Sequence, residues 1–418
     1  MTLSDLPPEL FEQVLLFLDP TDVSAVSRTC HTFHQHINDP DNQLLWRELY
    51  LAQPFDDLRR CVTPQGRSLS NNIDWMKELR RVIRARTVVT NEIYRSAEET
   101  VAVFKTLLGM AANVVPLPSY NSDELSLNHA WLYSLLRGSS FLNPENPVLP
   151  TSEEERQLRA QLRTLYGLTA KDHEFRTLVD SRALVYAMRN YRETNQWGPF
   201  KKDGSGEVDW VHLKAIHHVM SMHIVLLAPS LGSQTLIPLS LPFCQPCLPP
   251  ELDLDTMQDW AGIEGFWRCS FCFCTQAYND LDRSDTEPLS TAFFEDPDFG
   301  EVFTGINMQC RVVSCEHDPD HPTRPIIHFE AGTERQSVIK GWVKLTHQGV
   351  IRWHFQSGQG DQFIWNSEGI QVGSVRSAYG VLGSWSTTLH EQGDPVGPFV
   401  MWKMAQAAGD IQLDTQPQ

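Results

Sequence analysis

The chain has 418 residues, 41% of them apolar, which is enough for a sizeable core and, at usual domain sizes, for two or three domains. Its 52 acidic and 34 basic residues give a formal charge of −18, which disfavours binding to phosphate backbones, so no nucleic-acid partner is expected. No apolar run approaches the roughly twenty residues of a membrane span, Met1 to Asp5 lacks the basic and apolar regions of a signal peptide, and nine cysteines, an odd number, fit free thiols in a reducing compartment, the cytosol or nucleus.

Three short helices are predicted before Tyr50. Ser4 and Asp5 can cap the first, and Pro7 or Pro8 suits its opening turn, where no backbone donor is needed. Leu10, Val14 and Leu18 recur at helical spacing along one face, with Phe11 and Leu15 on an adjacent one. Asp19-Pro20 ends this helix. Thr21 can cap a second, over which Val23, Val26 and Cys30 keep the period. Asp39-Pro40 breaks it, and Asp41 can cap a third helix carrying Leu45, Trp46 and Leu49. So small a unit leaves much of its chain wet, and each buried leucine is worth roughly 1.5–3 kcal/mol. The surplus apolar surface is therefore covered by a partner or by later residues of the same chain.

The Leu6-Pro7-Pro8-Glu9-Leu10 opening, the Val14-Leu15-Leu16-Phe17-Leu18 stretch, the Asp19-Pro20 turn and the closing Leu45-Trp46 occur in an order that resembles the F-box. The resemblance covers about Asp5 to Tyr50. It implies a non-catalytic receptor subunit of an SCF-type (Skp-cullin-F-box) ubiquitin ligase, docked on a Skp adaptor and through it on cullin and RING subunits. Carried over by position, Leu6, Pro7, Pro8, Leu10, Val14, Leu15, Leu18, Val23, Val26 and Trp46 are the adaptor-facing or core residues. Val23 stands where many members have leucine, a change of about one methylene and a modest cost.

Cys61 to Asn72 reads as a linker. Helices are then predicted around Trp75, Leu79 and Val82, around Val101, Phe104, Leu107 and Leu108, after a Ser152/Glu155 capping box, around Phe175 to Met188, and over Val211 to Leu227. A proline-rich loop surrounds the apolar segment Trp131 to Leu136. Arg80, Arg81, Arg84 and Arg86 read as a solvated helix face.

From about Gly265 the apolar period changes to two. Ile339, Val343 and Leu345 alternate with polar residues, His347-Gln348-Gly349 reads as a turn, and Ile351, Trp353 and Phe355 alternate again, which signals a hairpin. Further strands are expected around Phe266–Thr275, Val302–Val313, Ile326–Glu330, Gly369–Gly373, Gly380–Thr388 and Pro398–Lys403. Gly369, Gly373, Gly380 and Gly383 read as sharp bends at barrel corners. The fold class expected is α+β, with three N-terminal helices, a helical middle region and a C-terminal antiparallel barrel. The boundaries are 1–60, 61–230 and 231–410, with a disordered tail at 411–418.

Gly262-Ile263-Glu264-Gly265-Phe266-Trp267 opens the barrel region. Trp365 to Gly373, Val375-Arg376-Ser377-Ala378, Gly380 to Trp385 and Asp394 to Phe399 close it. Together these segments resemble the C-terminal half of a group of fungal F-box proteins. More distantly they are similar to the cyclin-D-binding F-box family, which implies a lipocalin-like substrate domain.

Four polar clusters read as structural. Cys244/Cys247 and Cys269/Cys272 have the outline of a zinc ribbon, but on a strand Cys269 and Cys272 point to opposite faces. Cys310, Cys315, His317 and His321 read as part of an acidic loop. His212, His217, His218 and His223 spread around one helix. Asp203-Gly204-Ser205 reads as a turn, because a calcium loop counted from Asp203 lacks its glycine and its closing glutamate. Nucleophile elbows, phosphate-binding loops and paired metal-binding histidines are missing, so no catalytic residue, cofactor or metal is assigned. Arg376, Trp385 and His390 are the candidate substrate contacts, because tryptophan and arginine dominate binding hot spots. The reading is a receptor that holds an unknown substrate protein through its barrel. Two alternatives are a barrel for a small apolar ligand and a non-ligase scaffold carrying an F-box.

Overall fold

The computed structural model describes residues 6–69, 72–91, 96–143, 151–231, 238–274, 289–333, 337–360, 362–391 and 393–404. Ser4, Asp5, Pro144, Pro147, Pro150 and the 411–418 tail lie outside the described residues.

Four helices stand where three were expected. Helix α1 (Pro8–Leu15) has Pro7 as its N-cap residue and Pro8 in its first turn. Helix α2 (Pro20–Ser27) is capped by Asp19, whose carboxylate accepts from the Thr21 amide at 2.9 Å; Thr21, expected to cap, is the donor. The period read through Val23, Val26 and Cys30 is interrupted, because Cys30 is extended and starts α3 (His31–Ile37). Helix α4 (Gln43–Leu51) is capped by Asn42 rather than Asp41.

The middle helices begin where side-chain oxygens can accept from free amides. Asp74 caps α5 (Trp75–Thr90), Ser96 caps α6 (Ala97–Ala112), Ser126 caps α7 (Leu127–Leu136) and Ser152 caps α8 (Glu153–Tyr166). The Glu155 carboxylate pairs with Arg159, a turn further along α8. Helices α9 (Phe175–Val185) and α10 (Trp210–Leu231) complete the set. No described helix is long and apolar enough to cross a membrane.

One apolar core runs from Phe11 and Leu15 through α5–α10 to Cys272, Leu382 and Val400 on the outer wall of the barrel. The stretch read as a linker belongs to this continuous body. Val62 bridges to Val114, the Val375 amide donates to Pro64 O at 2.7 Å, and Gln65 Nε2 donates to Gly349 O at 2.8 Å. The arginines read as a solvated face all have protein partners. Arg80 bonds Asn38 and lies over Trp46, Arg81 pairs with Glu78, Arg84 with Glu99, and Arg86 with Asp19 at 2.7 Å. Arg80 and Arg86 thereby hold α5 against the first four helices.

Eight strands follow: β1 (Gly265–Cys274), β2 (Glu301–Glu316), β3 (Ile326–Thr333), β4 (Val338–Leu345), β5 (Ile351–Gln359), β6 (Gln362–Gln371), β7 (Val381–Thr387) and β8 (Gly397–Lys403). Each pairs antiparallel with the next, and β1 pairs with β8 to close the barrel. A short helix α11 (Ala292–Glu295) precedes β2. Gly373 and Gly380 have positive φ in the β6–β7 connection, as expected of bends. Gly369 and Gly383 instead face each other within paired strands, where a Cβ on Gly383 would fall 2.5 Å from the Phe399 ring. Their role is to make room for that ring.

Candidate functional site

The first candidate site is built on α1. Phe11 and Leu15 are buried, and Phe11 stacks on Phe33 of α3 with centroids 4.5 Å apart. Trp46 closes the same small core and donates from Nε1 to Ile37 O at 3.0 Å. Fixing this side of α1 inward turns the opposite side out. Leu10 is 54% exposed, Val14 40% and Phe17 90%, and Leu44 of α4 is 57% exposed. Asn42 ties α4 to α1 by donating to Glu12 at 2.9 Å. Singly exposed apolar residues are ordinary, but a row at i, i+4 and i+7 is the kind of surface that marks an interaction site.

The ten residues carried over for adaptor binding therefore divide. Pro7, Pro8, Leu10 and Val14 are exposed, and Leu6, Leu18 and Val26 are half-buried. Leu15, Val23 and Trp46 are interior residues of the domain and offer a partner no surface. Phe17 and Leu44 were missed, though Phe17 follows Leu10 and Val14 at helical spacing.

The second candidate site is the inside of the barrel. At the end formed by the starts of odd strands and the ends of even ones, Trp260, Ile263, Leu254 and Val375 fill the interior below Trp267 and Trp353, whose rings meet edge to face at 5.3 Å. Toward the other end a cavity of about 380 Å³ opens, lined by Phe271, Phe273, Phe355, Phe399, Trp365 and Trp385, with Cys269, Ile306, Ile339 and Pro395. Among the described lining residues the polar groups are the Ser357 and Ser367 hydroxyls, the thiols and the two indole N–H groups. Burial pushes the Cys269 thiol up to about 12, so it is a neutral wall group rather than a nucleophile. The cavity can bind; among the described residues its wall offers no acid, base or charge.

Of the three candidate substrate contacts, Trp385 lines this cavity and donates from Nε1 to Cys272 O at 3.1 Å. Arg376 lies at the opposite, filled end, in the β6–β7 connection. It donates to Asp259 O at 2.8 Å, and its own carbonyl accepts from Tyr120 Oη at 2.9 Å. It is an internal strut, not a free hot spot. His390 is half-buried and stacks on Trp197 of the helical region at 4.0 Å, which covers one face of its ring. The sequence could not separate these, because residues distant in the chain decide which barrel end is filled and which side chains are engaged.

The cysteines sort by strand parity. Cys269 lies in the barrel core, Cys272 in the helical core, and Cys244 packs near Leu165. Cys310 is interior, Cys315 contacts Gln258, and His321 bonds Thr346 O, so that cluster does not converge. His217 bonds Leu239 O, and His218 bonds Asp172 O and Ser181, as structural histidines do. One grouping was not foreseen: the donor atoms of His223, Cys272 and Glu301 lie within 4.8 Å of one another. Glu301 is already engaged by Arg182 at 2.8 Å, His223 at 2.7 Å and the Tyr186 hydroxyl at 2.5 Å. Burial pushes its carboxyl up, but His223 and Arg182 outweigh this and hold it below the usual range. The group is a self-neutralised buried ion network between α9, α10 and β2.

Residues 3–52 match the F-box-like family, and no curated protein and no solved structure matches the chain. The N-terminal helices are thus an F-box-like domain, a class generally found in non-catalytic receptors that bind Skp-type adaptors, joined here to an eight-stranded closed barrel.

Proposed function

We propose that this chain is the substrate-recognition subunit of an SCF-type ubiquitin ligase. The F-box-like domain docks on a Skp adaptor, which brings cullin and RING subunits, and the C-terminal barrel holds a substrate protein. The chain itself does no bond chemistry. It raises the local concentration of substrate lysines beside a charged ubiquitin carrier. Nine cysteines outside any disulfide agree with work in the cytosol or nucleus. The observation that carries the reading is the exposed row Leu10, Val14 and Phe17 within a domain whose other side, Phe11 and Leu15, is packed.

The continuous core supports the second half of the reading. A receptor must hold its substrate at a fixed offset from the adaptor, and α5–α10 make a stiff bridge from the F-box-like helices to the barrel wall. The test is assembly. Full-length chain, a Skp adaptor and a cullin are co-expressed and passed over a size-exclusion column. The expected result is a stoichiometric ternary complex that needs the adaptor; a chain that elutes apart from both proteins rejects the assignment.

A further inference from the structure

The barrel cavity has no place in adaptor docking, and the geometry points to a ligand site of defined chemistry. We infer that it binds an uncharged, largely aromatic or branched-aliphatic group that carries few hydrogen-bonding atoms. The inference deepens the receptor reading by saying what its barrel recognises.

Three observations carry it. The first is size: about 380 Å³ lies within the roughly 300–1,000 Å³ of small-molecule pockets, far beyond a packing defect. Protein interiors are otherwise close-packed, and the other end of this same barrel is filled by Trp267, Trp353 and the 254–263 segment. A barrel packed at one end and hollow at the other is shaped to admit something at the hollow end.

The second is the wall. Six aromatic rings and two branched aliphatic side chains line it, against two serine hydroxyls. A charged ligand would lose its hydration with no counter-ion among the described wall residues. A peptide backbone would bring an N–H and a C=O per residue and find, among the described lining residues, little beyond Ser357, Ser367 and the Trp365 indole N–H to satisfy them. What fits is a group almost free of polar atoms, either a small molecule or one apolar side chain projecting from a partner.

The third is the rim. Trp365 remains 38% exposed while also lining the cavity, and Leu389 of the β7–β8 connection is 75% exposed. Through Trp365 the apolar lining therefore reaches the surface, and an entering group desolvates that ring as well as the interior.

The experiment uses full-length chain and the neutral probe N-phenyl-1-naphthylamine, whose fluorescence rises in apolar surroundings. Binding is expected to be saturable, one probe per chain, and to quench tryptophan emission from Trp365 and Trp385. 1-Naphthoate is expected to bind at least about tenfold more weakly, since its carboxylate finds no partner. Two cavity-filling changes on different strands, Ser357→Phe and Ile306→Trp, are each expected to weaken probe binding by at least about tenfold; near-ultraviolet dichroism and adaptor co-elution report whether each variant is folded. N-acetyltryptophanamide separates the two sources. Displacement of the probe assigns the cavity to a partner's side chain, and failure to displace it assigns the cavity to a free small molecule. Absent or non-saturable binding, equal affinity for naphthoate, or indifference to both folded variants overturns the inference. Adaptor co-elution is read separately, so a chain that docks on the adaptor and ignores the probe loses this inference alone.

Discussion

Phe11 of α1 and Phe33 of α3 stack with centroids 4.5 Å apart and ring planes 13° apart, and this contact sets which side of α1 meets water. It separates two kinds of substitution. Phe11→Ala removes a buried ring and is expected to destabilise the chain by about 3–5 kcal/mol. Phe17→Ala, at a residue 90% exposed, should change stability by less than about 0.5 kcal/mol while weakening adaptor binding. Urea unfolding and a pull-down on the adaptor read the two effects apart.

Glu301 holds Arg182, His223 and Tyr186 together between the helices and the barrel. Glu301→Gln leaves the half-buried Arg182 guanidinium without its counter-charge and should cost about 3–5 kcal/mol. Glu301→Gln with Arg182→Met removes both charges and should recover part of that loss. A double variant no better than the single one would show that the ion pair is not what Glu301 contributes.

His212 and His217 set an acid limit. Burial pushes both down to about 4. The folded chain keeps them neutral while the unfolded chain protonates near the ordinary histidine value, so their contribution is complete above that value and is lost as pH falls toward 4. Between pH 7 and pH 5 the two together should cost roughly 3–4 kcal/mol. Urea midpoints measured across that range should fall, and His217→Gln should reduce the fall by about half.

Gly383 has no space for a methyl group. A Cβ there would lie 2.2 Å from Glu368 O and 2.5 Å from the Phe399 ring. Gly383→Ala should destabilise the barrel by at least about 1–3 kcal/mol, and Phe399→Leu in the same chain should return some of it. Near-ultraviolet dichroism during denaturant unfolding is the check.

Much of this molecule is legible in its sequence. Alternation through Ile339, Val343, Leu345, Ile351, Trp353 and Phe355 gives the β4–β5 hairpin and its inward face, and all six are barrel-core residues. The Ser152 cap read from the sequence opens α8, whereas the caps Asp74, Ser96 and Ser126 of α5, α6 and α7 were not singled out. What escaped depends on distant contacts. Leu10 and Leu15 are both apolar and both helical, and residues brought in by later helices, among them Ile37 and Trp46, decide that the Phe11 and Leu15 side faces inward. Arg376 precedes β7 and Trp385 lies near its end, so the strand separates them, and distant residues fill one barrel end and leave the other hollow. Glu301 gives no local sign of the Arg182 and His223 that meet it, since both come from other elements.

The most direct measurement is a calorimetric titration of a purified Skp adaptor with full-length chain, beside a Leu10→Asp, Phe17→Asp variant whose unfolding midpoint is first shown to be unchanged. The changed residues are the two ends of the exposed row and flank Val14, and truncated hot spots commonly cost 2 kcal/mol or more, so affinity should fall by about a hundredfold or more. Equal affinity of the folded variant and the native chain, or no heat from either, would mean that this face does not hold the adaptor.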